Sequence, residues 1–452
     1  MLQRDTAAHR APGPDFLELP TWFLRFKDNT FNAFVTLARE YSPVARFPIS
    51  PKRSLFLCST PEGAQHVLQD NHKNYRKAVT YNFIKPVVGE GLLTSHGDLW
   101  LRQRRLVAPI FHRRRIQSYA ATMAETTEEL LERWERHGEA PLDIAESMSQ
   151  VTLSIAGKLL FNRDIGLESD WIGDALVLLF RDVNQRIMSP LRVPRSVPTP
   201  QNRRVQKAIE RLEKLVYGLI EERRGRAEEL DDLLSMFMLA EDEETGEKMS
   251  DEQIRDELMT FIIAGHDTTS NLLSWALYLL SKHPGVRRRL EEEVDDVVSG
   301  QIPTFEEVRK LDYLEQVIDE TFRLFPPAWT VEREPIEDDV ICGYHIPAGS
   351  IVSVGPYFVH HNADVWDNPE GFDPDRFAPD KDRPPRYAHF PFGGGPRMCV
   401  GADFAILEAK LILGAIIRRF RLDLLTGHII EPEGTVTLYP KHGIQMRLRR
   451  RS

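Results

Sequence analysis

Apolar positions along most of this chain recur every three to four residues, the period of a helix that buries one face. The pattern predicts helices over 171–187 and 203–224, and again from Ala402, where Ala405, Leu407, Leu411, Ile412, Ala415, Ile416 and Phe420 share a face. Period-two pieces are few: Ser54–Cys58, Val340–Ile346, which ends at the turn signal Pro347-Ala348-Gly349, and Ile351–Val354. One helix stands out. Ser250-Asp251-Glu252-Gln253 has the form of a capping box, and the apolar pattern then runs to about Ser281, where His283-Pro284 stops it. At about 1.5 Å per residue such a helix is roughly 48 Å long, enough to cross a globular domain. Its centre, Ala264-Gly265-His266-Asp267-Thr268-Thr269, is made of poor interior helix formers. Local propensity fails most often where function sits. The expected fold class is mainly α with small β-sheet regions.

Composition narrows the function classes. With 452 residues and 42% apolar content the chain builds a large core. Its 58 basic and 68 acidic residues leave a net charge of −10, which disfavours nucleic acid as a partner. Three cysteines, Cys58, Cys342 and Cys399, form no disulfide framework and suit a reducing, cytoplasmic setting. The first eleven residues hold no apolar signal core. No run reaches the roughly 18 uncharged apolar residues of a membrane span, so no transmembrane anchor is expected. Prolines 190, 194, 198 and 200 break the helical pattern between two helices. That stretch is a plain connection or a movable lid.

Chemistry concentrates at Phe390–Gly401, which reads F-P-F-G-G-G-P-R-M-C-V-G. Three glycines permit tight folding and close approach to a flat ligand. Cys399 follows, just before a helix start, where unpaired N–H groups favour a thiolate over a thiol. A buried inert cysteine is the bland alternative. A nucleophile would need a paired histidine, and zinc a second ligand at short spacing; neither is evident.

Phe392-x-x-Gly395-x-Arg397-x-Cys399-x-Gly401 resembles the haem-binding signature of the cytochrome P450 superfamily, with every fixed position filled. The resemblance implies that Cys399 is the proximal iron ligand of haem b, that Arg397 pairs with a propionate, and that Phe392 and Gly401 belong to the cofactor site. Thiolate ligation favours O–O cleavage. Glu320-x-x-Arg323 is similar to the family's buried structural pair, with Arg376 in Pro374-Asp375-Arg376-Phe377 as its third member. Trp100-x-x-x-Arg104 and Arg333 resemble further propionate-binding residues. Ala264–Thr269 fits the oxygen-binding helix, and 262–280 is similar to self-sufficient bacterial fatty-acid hydroxylases. His266 takes a position of variable identity there and is read as a packing or surface residue. The resemblance spans roughly 35–445 and implies one haem domain over 35–452, preceded by a partly extended segment, 1–34.

By that resemblance the chain is a monooxygenase that inserts one atom of O2 into an apolar small molecule: a fatty acid, terpenoid or steroid. Asp267 and Thr268 are its proton-delivering pair, with a groove between Gly265 and Thr268 for O2. By position in the family, Phe83, Ala264, Ala328, Thr330 and Val436 line the pocket, and Ala264 also borders the cofactor. Lacking the fused flavin reductase of those hydroxylases, the chain is expected to take NAD(P)H-derived electrons from a ferredoxin or flavodoxin with its reductase, and to be monomeric. Arg102, Arg105 and Arg113–Arg115 are candidates for a basic docking patch, or an ordinary solvated face. Two other readings compete: a peroxide-using haem-thiolate enzyme, decarboxylase or isomerase, and a haem-based sensor or carrier.

Overall fold

The computed structural model describes residues 8–50, 53–165, 170–188 and 193–451. Two compact units divide the chain. The first comprises residues up to Tyr81, Arg323–Gly371 and Asp382–Cys399; the second comprises Asn82–Phe322, Phe372–Lys381 and Val400 onward.

The first unit is built on a five-stranded sheet. In spatial order its strands are Val44–Ser50, Arg53–Cys58, Ile351–Val354, Val331–Pro335 and Tyr75–Lys77. The second and third pair in parallel and the others antiparallel. Arg53–Cys58 is buried along nearly its whole length, which explains its near-continuous apolar reading. The expected strand Val340–Ile346 is in fact two, Asp339–Ile341 and Tyr344–Ile346, paired as a hairpin on which His9–Arg10 adds a short third strand. The hairpin turns through Cys342-Gly343, both at positive φ (48° and 83°), the geometry of the two-residue turns that match strand twist. Helices Leu19–Asp28 and Thr30–Glu40 precede the sheet, so much of segment 1–34 is helical. Trp22, Phe26 and Phe34 on them join Phe47 of the sheet in an aromatic cluster.

The second unit is almost entirely helical. Its axis is the helix Asp251–Lys282, opened by the capping box read from the sequence: Ser250 caps the Gln253 N–H and Gln253 reaches back to Ser250. Most of its length is buried. Ile144–Phe161 packs along it, and Ala402–Arg419 packs on Arg113–His137. The flanks of the proline-rich connection form helices Asp170–Met188 and Pro200–Arg223, with Pro200 at the first helical turn behind the Thr199 cap. Of that connection, 189–192 lie outside the described residues. The rest is tied down: Asn202 donates to the carbonyls of Pro194 and Val197, and Arg195 pairs with Asp182 at 2.9 Å. A small sheet of Pro141–Asp143, Gln445–Arg450 and Phe420–Leu424 completes the unit. None of the described helices is long and apolar enough to cross a membrane.

Candidate active site

In the first unit the cysteine loop is folded by its own backbone. Gly393 N–H donates to Phe390 O, and Cys399 N–H donates to Phe392 O, both at 2.9 Å, which brings the cysteine back beside Phe392. The glycines answer to the chain as much as to any ligand. A Cβ on Gly395, which sits at φ 63°, would strike the Leu68 carbonyl oxygen at 1.9 Å, and one on Gly394 would strike the Tyr387 ring. Gln69 holds that same Tyr387 hydroxyl and Arg386. A rigid floor therefore backs the loop, and Cys399 is presented at its exposed end, outside any disulfide. Three residues later, at Ala402, the next helix begins.

Behind this loop lies a cationic group. Arg333, from strand Val331–Pro335, and Arg397, from the loop, are joined by Lys77, which lies over the Tyr81 ring at 4.3 Å. Burial, then Arg333 and Arg397, push the Lys77 ammonium well below its ordinary range. Burial and Arg333 bring Arg397 down to about 10. Cations are clustered this closely against their own repulsion where an anion sits among them. The two carboxylates of a haem suit such a cluster, and a thiolate donor in a glycine turn suits its iron. Lys77 and Tyr81 escaped the sequence reading because no local motif marks them; only the sheet, pairing Lys77 with Arg333, brings them in.

Arg323, fully buried, donates to the carbonyls of His360 (3.0 Å), Pro369 (2.6 Å) and Gly371 (2.8 Å) and lies over the Trp366 ring. Ala328 and Thr330 follow it, both half-buried, with the Thr330 hydroxyl bonded to that of Ser353.

In the second unit the centre of the long helix departs from the burial around it. Ala264 is exposed, Gly265 and Thr268 are half-buried, and a Cβ on Gly265 would touch nothing within 4 Å. The Thr268 hydroxyl donates to Ala264 O at 2.7 Å, one turn back along the helix. The Asp267 carboxylate accepts a hydrogen bond from the Thr437 hydroxyl, and burial pushes its pKa up to about 6. Thr437 was not legible as a site residue. It is in the hairpin turn, between strands Pro432–Gly434 and Leu438–Pro440, that also carries Val436. His266 is a packing residue: 4% exposed, bonded to Ser149 Oγ at 2.8 Å, and held neutral by burial, which lowers its pKa to about 4. Trp100 and Arg104 lie half-buried one turn apart on helix Gly97–Val107. Phe83 and Val436 are half-buried too. Glu320, fully buried, accepts from Arg376 Nε at 3.3 Å and from Asp373 N–H at 2.9 Å.

The arginines expected to form a basic docking patch are largely paired with acids. Arg102 pairs with Glu247 at 3.2 Å, Arg105 with Asp242 at 2.9 Å and Glu244 at 3.1 Å, and Arg115 with Asp231 at 2.8 Å. These acids, distant in sequence, neutralise most of the charge that the run of arginines suggested.

A family model described as Cytochrome P450 matches residues 12–446. The chain belongs to the cytochrome P450 family. This P450 is 34% identical to cyclooctatin synthase of Streptomyces melanosporofaciens, over 85% of its own length and 84% of that protein's. It is 30% identical to the chloroplastic carotene epsilon-monooxygenase of Arabidopsis thaliana, covering 91% and 80% of the two chains. The crystal structure titled cytochrome P450DA heme domain superposes with a TM-score of 0.89 at 30% identity, covering 98% of each chain. The P450 is therefore a haem-thiolate monooxygenase, an oxidoreductase that uses haem b, O2 and NAD(P)H-derived electrons delivered through a redox partner.

Proposed function

We propose that this P450 oxygenates a terpenoid-type substrate, with Cys399 as iron ligand and Asp267–Thr268 as the proton-delivering pair. Asp267 carries the reading: it is a half-buried carboxyl with a pKa raised by desolvation to about 6, one residue from a hydroxyl on the uncovered part of the long helix. A group titrating there exchanges protons near neutral pH. A sensor or a carrier makes no use of it. When bound, the haem supplies the oxygen-splitting chemistry. The chain's own residues do the rest. Arg333, Arg397 and Lys77 would hold the propionates, a role that the family resemblance also gives to Trp100 and Arg104; Asp267, steadied by Thr437, passes protons to Thr268; Glu320, Arg323 and Arg376 brace the scaffold. By position in the family, Phe83, Ala264, Ala328 and Val436 are assigned to an apolar lining, with Thr330 as its polar member.

The substrate class rests on that lining and on the relatives, among them cyclooctat-9-en-7-ol 5-monooxygenase, also of Streptomyces melanosporofaciens, and the carotene enzyme. We read residues 35–452 as one haem domain of a monomeric, cytoplasmic protein served by a ferredoxin or flavodoxin with its reductase. Titration of the purified enzyme with terpenoids, carotenoids, fatty acids and steroids, followed by the iron spin-state shift, tests the class. Terpenoids are expected to give the largest shift at the lowest concentration; a response confined to fatty acids contradicts the assignment. Thr268→Ala is expected to bind the same substrate unchanged while diverting reducing equivalents to peroxide or water. Unchanged coupling would remove Thr268 from its role.

A further inference from the structure

Away from this site, the first unit holds a second pair of sulfurs. Cys58 ends strand Arg53–Cys58 and is fully buried. Cys342 lies at the exposed tip of the hairpin 339–346. They are 284 positions apart in sequence, from 58 to 342, yet the fold brings both sulfurs to the same glycine. Both pack over Gly63: a Cβ there would come within 2.1 Å of Cys58 Sγ and 3.4 Å of Cys342 Sγ. Gly63 thus leaves room for two sulfurs side by side. The Thr60 hydroxyl lies 3.5 Å from Cys342 Sγ.

The turn adds an independent observation. Positive φ at the first central residue of such a turn favours Asn, Asp or Gly. Cysteine is a strained choice for that place, and the strain aims its sulfur at Cys58. The two thiols are also unequal. Cys58 and Thr60, helped by His66, hold Cys342 below the ordinary thiol range against its own burial and Glu62, whereas Cys58 is raised. The outer sulfur is thus the more acidic of the two.

We propose that Cys342 and Cys58 form a peroxide-responsive dithiol site, with Cys342 as the attacking and Cys58 as the resolving thiol. The Cys342 thiolate attacks one oxygen of hydrogen peroxide. An S–O bond forms, the O–O bond breaks, and hydroxide leaves and is protonated to water. Cys58 then gives up its proton and attacks the Cys342 sulfur; the S–S bond forms, the S–O bond breaks, and a second water leaves. Two thiols and one peroxide become one disulfide and two waters. Peroxide is the product a monooxygenase releases when electrons miss the substrate, so the oxidant arises at this protein.

The helix Pro61–Gln65 that covers the pair leads directly into the turn His66–Asp70, whose Leu68 carbonyl backs Gly395 of the cysteine loop. The sulfur pair and that loop therefore rest on one continuous segment.

The test exposes the haem-loaded enzyme to equimolar hydrogen peroxide, quenches it with an alkylating agent under denaturing conditions, and maps the peptides by mass. The expected result is a crosslinked pair containing Cys58 and Cys342, abolished by dithiothreitol. Cys58→Ser is expected to stop at a sulfenic acid on Cys342 that a dimedone probe captures. Cys342→Asn, the residue its turn prefers, is expected to melt no lower than the parent and to form no crosslink. Full alkylation of both thiols in the treated parent enzyme, or crosslinking that persists in Cys342→Asn, would overturn the proposal.

Discussion

Asp267→Asn is expected to lower the oxygenation rate by roughly 10²- to 10⁴-fold, the range associated with losing a positioned acid–base group. Substrate binding, read as the spin-state shift, is expected to stay within a factor of a few, because Asp267 reaches Thr437 and not the apolar lining. Stability separates this reading from simple damage. The ordinary aspartate pKa is about 3.9, and burial raises that of Asp267 to about 6. Between those values the folded state binds more protons than the unfolded state, so the contribution of Asp267 to stability is full below about pH 4 and lost as the pH rises through about 6. At pH 7.5 the protein carries the whole cost of a desolvated charge. Asparagine removes that cost and keeps an oxygen for Thr437. The variant is therefore expected to melt no lower than the parent at pH 7.5, while its relative advantage shrinks at pH 4. A variant that unfolds early at pH 7.5 would make Asp267 a structural residue.

The second large effect is expected at Arg323. Its guanidinium reaches three backbone carbonyls from a fully buried position. Arg323→Ala leaves those carbonyls unsatisfied and opens a cavity. Losing one partner from a buried charged network costs about 3–5 kcal/mol, against a total stability on the order of 5–15 kcal/mol for folded proteins. Urea unfolding is expected to show a sharply lower midpoint and loss of bound pigment during purification. Lysine is a poor substitute, because a single ammonium cannot reproduce the planar fork. A midpoint shift within error for Arg323→Ala would contradict its role as an anchor.

The parts of this molecule that were readable in the sequence are those specified locally. The long helix was legible at both ends because capping and proline act over three or four residues: Ser250 with Gln253 at one end, Pro284 at the other. Ile351–Val354 was read to the residue, since a short buried strand is a compact apolar run. The C-terminal strands Phe420–Leu424 and Gln445–Arg450 were missed; one continues a helical pattern and the other alternates arginine with apolar residues. Their pairing is a tertiary choice. The hairpin at Cys342-Gly343 was hidden by a cysteine standing where asparagine would have announced the turn.

The site divides in the same way. Cys399, Arg397 and the Asp267–Thr268 turn were visible as motifs. Lys77 reached the cationic group only through sheet pairing with Arg333, and Thr437 reached Asp267 from 170 residues away. The arginine run at 102–115 misled because its counter-charges, Asp242, Glu244 and Glu247, come from a distant loop.

Everything proposed for oxygen chemistry depends on sulfur ligation by Cys399. The direct measurement is the absorption spectrum of the ferrous, carbon-monoxide-bound enzyme, recorded for the parent and for Cys399→Ser at equal haem content. The parent is expected to show the red-shifted band of a thiolate-ligated haem, and the variant to lose that band while retaining pigment. An identical band in the variant would contradict the account.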